Sequence, residues 1–164
     1  DFVKIYNNKN FYDKTYCQKL FNDALKSLQE REINNRVDIL ISDFICENYQ
    51  KKKLFNSQNL PKPVLIQYVI DNILLKLGLN FRIQVKKGKL DILESPVHPS
   101  IYHNLNLKFN NQLDFLTFKG VINGYQAITE LFYDEYKNID KIVLRNSLIG
   151  ISHEFDKLKP YVNL

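Results

Sequence analysis

The sequence predicts an α+β domain, mainly helical with β-hairpins. Three observations lead there. Apolar residues recur at helical spacing in Leu20, Phe21, Ala24, Leu25 and Leu28, and again through Val37–Ile45 and Val64–Leu77. The period then changes to two in Phe81–Val85 and in Ile101–Phe109. Finally, 164 residues that are 45% hydrophobic and 25% charged can build a core, which excludes a disordered chain.

Taken in order, residues 1–12 read as an arm. Asp13 is suited to cap a first helix over Lys14–Glu32, because its carboxylate can accept from unpaired amides. Asn34-Asn35 breaks that helix, and a second, marked by Val37, Leu40, Ile41, Phe44 and Ile45, ends near Tyr49. Lys51-Lys52-Lys53 and Asn56–Asn59 form a connector. Pro61 and Pro63 suit the entry of a third helix, and Gly78 its stop. A hairpin with a basic tip follows over Phe81–Ile92, and a second over Ile101–Phe118 with its turn at Asn110-Asn111. Two helices close the chain, Ile122–Tyr136 with Tyr125, Ile128, Leu131 and Phe132 inward, and Ile139–Leu158 with two apolar stripes.

Charge and cysteine usage narrow the function classes. The net charge is +5, and the excess lies in Pro61–Gly120, with 8 basic and 4 acidic residues. Such a surplus can meet phosphate or form a solvated face. Two cysteines, Cys17 and Cys46, exclude a disulfide-dense scaffold and a four-cysteine zinc site. Both fall among apolar residues and are expected to be buried, reduced thiols of an intracellular compartment. No apolar run approaches a membrane span, and the chain reads as an excised domain without a signal peptide.

No catalytic motif stands out. His98, His103 and His153 lack the spacing of a metal site. Ser147 and Ser152 have no nucleophile elbow, and Asp134-Glu135 and Glu154/Asp156 read as helix-end charges. The expectation is no enzyme, no cofactor and no metal.

Three helices and a basic hairpin over Asp13–Ser95 resemble a winged helix, whose second and third helices make a helix-turn-helix. A second α+β module over 96–164 would make a tandem. Such a pair is similar to the C-terminal half of the middle subunit of the CST telomere complex, itself similar to the middle subunit of replication protein A. The alternative arrangement, helices on a four-stranded antiparallel meander, resembles an RWD-like domain.

The first resemblance implies a non-enzymatic subunit of a nuclear complex of the telomere or DNA-replication type. It implies protein–protein interaction first and nucleic acid binding second, with no membrane or small-molecule substrate. On the third helix, Ile66, Val69, Ile70, Ile73, Leu74 and Leu77 are expected to face the core. The opposite face offers Val64, Leu65, Tyr68 and Leu75 for docking, either to a partner or to the second half of the chain. Lys51, Lys52, Lys53, Arg82, Lys86, Lys87 and Lys89 would contact a nucleic-acid backbone without reading sequence. Alternatives are a duplex-binding winged-helix regulator, or an RWD-like or viral scaffold with no nucleic-acid role.

Overall fold

The computed structural model describes residues 8–57, 59–86, 88, 93–111, 114–117, 120–122 and 124–143. Within them the chain is α+β, with helices and two small antiparallel hairpins. The order is α1 (Lys14–Asn34), α2 (Ile41–Asn48), β1 (Phe55–Ser57), β2 (Leu60–Pro61), α3 (Pro63–Lys76), α4 (Pro99–Asn104), β3 (Phe115–Thr117), β4 (Gly120–Ile122) and α5 (Gly124–Lys137). Among the described residues, no helix is long and apolar enough to cross a membrane.

Helix α1 begins as expected, with Asp13 accepting from the Tyr16 N–H at 2.7 Å. Its inward stripe runs through Cys17, Phe21, Leu25, Leu28 and Glu32, while Leu20 and Ala24 face outward. It ends in a Schellman turn, with Val37 N–H bonded to Glu32 O and Arg36 N–H to Ile33 O, both at 3.1 Å. Arg36 takes the left-handed position at φ 52°. Helix α3 ends the same way at Gly78 (φ 68°), through Leu79 N–H to Leu74 O and Gly78 N–H to Leu75 O.

Short aromatic stacks join the helices. Phe21 of α1 stacks on Tyr49 at 4.1 Å, and Phe44 of α2 stacks on Tyr68 of α3 at 4.2 Å. The connector between α2 and α3 contains the β1–β2 hairpin, paired Phe55 to Pro61 and Ser57 to Leu60. Strands this short leave no alternation to read in the sequence.

The expected Phe81–Ile92 hairpin is not formed by residues 81–86, which make no strand; its return lies largely outside the described residues. Gln67 of α3 holds this segment instead. Its side-chain amide donates to Ile83 O and accepts from Val85 N–H, each at 2.8 Å.

The second expected hairpin is also replaced. Residues 99–104 form α4, because His98 caps its first turn and Pro99 occupies the first helical position. That local signal overrides the alternation of Ile101, His103 and Leu105. Strand β3 pairs forward with β4, in the register Phe115 to Ile122 and Leu116 to Val121. Residues 94–95 link the hairpins: Glu94 exchanges both backbone bonds with Leu116, and Ser95 N–H donates to Asn56 O at 2.7 Å.

Helix α5 matches the expected span, but Leu131 and Phe132 are exposed rather than inward. It packs against β3, and its Thr129 is buried. Cys17 is buried, whereas Cys46 is exposed on the outer side of the short α2, against the expectation of burial. The expected final helix lies outside the described residues from residue 144 onward.

Candidate functional site

A cleft of about 420 Å³ opens between α1, the end of α2, β1 and the segments 95–97 and 105–109. Its walls are mainly apolar, formed by Phe21, Ile45, Tyr49, Leu54, Phe55, Pro96, Val97, Leu105, Leu107 and Phe109, and Asn56, Ser57 and Ser95 add polar groups. Each wall is tied to a fixed element. Gln50 donates to Leu105 O at 3.0 Å and its own carbonyl accepts from Lys108 N–H at 2.6 Å. The backbone of Val97 is held at both its N–H and its carbonyl by the side chain of Asn111. Tyr102 donates to Phe109 O at 2.7 Å.

The polar edge of the cleft is an ion cluster. Lys53 Nζ lies 2.6 Å from Glu94 Oε1 and donates to Ser95 O at 2.8 Å. Lys62 Nζ approaches Glu94 Oε2 at 3.2 Å. Burial pushes the Glu94 carboxyl up, but hydrogen bonds and charge from Lys53 and Lys62 outweigh it and hold the group below the usual carboxylate range. Lys52 also lines the cleft, with its ammonium 5.6 Å from the centre of the Phe44 ring.

Behind the cleft, His98 and Ser100 are buried together, with Nδ1 2.6 Å from the hydroxyl. The Ser100 N–H also donates to Nδ1, so this nitrogen acts as a helix cap. Phe11 and Tyr12 pack on the ring. Fully buried Ser100 has no opening through which a substrate could reach it. Among the described residues, no group of three His, Cys, Asp or Glu side chains could hold a metal.

The residues singled out from sequence divide. Leu65 is 3% exposed and belongs to the core. Tyr68 is half-buried, stacked on Phe44, and donates its hydroxyl to Leu40 O at 3.1 Å. Both are therefore corrected from docking positions to internal contacts, with Val64 half-buried beside them. Leu75 is 76% exposed. The assumed core face of α3 is partly turned outward, since Ile66, Ile73 and Leu77 are exposed. The reason is that α2 packs through Tyr68, a contact the helical wheel cannot reveal.

Among the basic residues, Lys51 and Lys52 are exposed beyond α2, and Arg82 and Lys86 on the segment held by Gln67. Lys53 is corrected from a phosphate contact to a buried ion-pair partner. Lys87 and Lys89 lie outside the described residues. The cleft itself was missed, because its walls come from segments about 90 residues apart in sequence. The only hint was a dense run of apolar residues with Asn and Lys around the connector.

The arrangement defines a small α+β protein with a preformed apolar cleft and a basic edge. A family described as polysaccharide biosynthesis enzyme WcbI matches residues 1–82, which is half of the chain. The chain belongs to that family. The description names an enzyme, which points against the non-enzymatic expectation. No curated protein and no solved structure matches the chain.

Proposed function

We propose that this chain serves polysaccharide biosynthesis as an enzyme or enzyme module that holds its ligand in the cleft. One observation carries the reading: Phe21, Ile45, Tyr49 and the run Lys52–Ser57, which form one side of the cleft, lie inside the family-matched residues 1–82. A concave site with apolar walls and a few polar groups is the ordinary setting for a ligand. Disrupting the coding sequence in its source cell should lower a cell-associated polysaccharide. The natural chain should restore it, and Val97→Trp, which fills the cleft from an anchored backbone position, should not. Unchanged polysaccharide after disruption overturns the reading.

A second reading is the docking subunit of a nucleic-acid-handling complex. The exposed Leu75, with Leu77 beside it, supports it. Lys51, Lys52, Arg82 and Lys86 would then add weak, salt-sensitive phosphate contact. Titration against unrelated duplexes at several salt concentrations tests it. Strong preference for one duplex that survives high salt contradicts sequence-independent contact.

A further inference from the structure

We propose that the cleft binds a single-chain fatty acid, with its alkyl chain against the apolar walls and its carboxylate at the lysine edge. This assignment rests on the reading of the cleft as the ligand site, and it names the ligand class.

Size comes first. A volume of about 420 Å³ falls within the range of small-molecule sites, roughly 300–1,000 Å³. A methylene occupies about as much space as a liquid water, roughly 30 Å³, so the cleft has room for about fourteen such groups, enough for a ten-carbon chain with its carboxylate. Wall chemistry comes next. Tyr49, Asn56, Ser57 and Ser95 bring hydrogen-bonding side chains to the cleft, but a sugar ring lying among Phe21, Leu54, Val97, Leu105 and Phe109 would lose most of its water partners without replacement. An alkyl chain loses nothing there.

Charge then selects the head group. The charged side chains lining the cleft, among the described residues, are Lys52 and Lys53, and no carboxylate lines it. Glu94 lies behind Lys53 and is shared with Lys62, so this trio keeps one net positive charge. Two of the three N–H groups of Lys53 are engaged by Glu94 and Ser95, which leaves one donor. Lys52 supplies a second cation in a more exposed position. The remaining Lys53 donor can meet a single carboxylate and the charge of Lys52 adds attraction, while a cationic head would be repelled.

The test is isothermal titration of the full chain with decanoate, decanol, decyltrimethylammonium and decyl phosphate, each below its micelle concentration. Decanoate should bind one to one. Decanol should bind at least tenfold more weakly, and the cation should not bind. Lys52→Glu, at an exposed position, should cut decanoate affinity about tenfold and leave decanol unchanged. Val97→Trp should abolish both, and methyl NMR shifts of Leu105 and Leu107 on decanoate addition should locate the site if that variant does not fold. Equal binding of decanoate and decanol, tighter binding of decyl phosphate, or no binding overturns the fatty-acid assignment. The polysaccharide phenotype would stand through any of these results, so the two failures are distinguishable.

Discussion

Glu32 caps a helix to which it does not belong: its carboxylate accepts from the backbone N–H and from the hydroxyl of Ser42, at the start of α2. The same oxygen that takes the Ser42 N–H also accepts from Ile41 N–H at 2.7 Å. Leu40, in the N-cap position, has no side-chain acceptor, so α2 depends on α1 for its first-turn hydrogen bonds. A carboxylate there also complements the positive end of the helix.

Replacing Glu32 with Ala should therefore cost more than an ordinary cap. It leaves buried donors unpaired and removes a charge-assisted bond, a loss of about 3 kcal/mol. Glu32→Gln keeps one acceptor and should lose about half of that. Urea unfolding of the variants measures both values. Equal stability of Glu32→Ala and the natural chain would show that α2 does not need the cap.

The cap also shows what a sequence conceals. A glutamate in the last turn of a helix reads as solvated charge, yet Glu32 is buried because α2 folds back onto it. Local signals were legible: Asp13, the Asn34-Asn35 break, Pro63 and Gly78 each sit where their chemistry places them. The span of α5 was legible too, but its inward face was not, since Leu131 and Phe132 are exposed. Alternation misled at Ile101–Phe109, where His98 and Pro99 start a helix. The cleft was illegible because Tyr49, Val97 and Phe109 converge only through tertiary contacts.

The left-handed residue closing α1 offers a gain. Arg36 sits at φ 52°, where a Cβ crowds the neighbouring carbonyl, whereas α3 uses Gly78 at the equivalent position. Arg36→Gly should stabilise the chain by about 0.5–1 kcal/mol, because the strain removed exceeds the entropy that glycine adds. Gly78→Ala should destabilise it by about 1 kcal/mol, although a Cβ there meets no atom within 4 Å. Thermal melts of the pair distinguish a backbone effect from a packing effect. A lower melting temperature for Arg36→Gly would mean that its side chain contributes more than the strain costs.

The Lys53–Glu94–Lys62 cluster should make stability depend on acid. The folded Glu94 carboxyl titrates below its unfolded value, near 4.3, so its stabilising effect is complete above that value. The effect is lost as pH falls through the lower folded value. Glu94→Gln should remove this loss, giving a shallower fall in melting temperature from pH 5 downward. At pH 7 the variant should be less stable by about 3 kcal/mol, because Lys53 is left buried without its counter-charge. Adding Lys53→Met should recover much of that. An unchanged acid slope in Glu94→Gln would assign the pH dependence to other carboxylates.

The two residues of α3 that sequence placed on one docking line now predict opposite outcomes. Tyr68 is packed on Phe44 and bonded to Leu40 O, whereas Leu75, two turns further along, is mostly exposed. Tyr68→Asp would put a charge against an aromatic ring and break the α2–α3 contact, so it should destabilise the isolated chain by about 3 kcal/mol or more. Leu75→Asp removes no core contact and should change stability by less than about 0.5 kcal/mol. If the chain docks a protein through this end of α3, Leu75→Asp should also weaken capture of that partner about tenfold or more, with an unaltered circular dichroism spectrum. A folded Leu75→Asp chain that retains full capture would remove this face from the docking reading and leave the cleft as the functional surface. If Leu75→Asp unfolds the chain, the end of α3 is an internal contact, and its exposed leucines offer no docking surface.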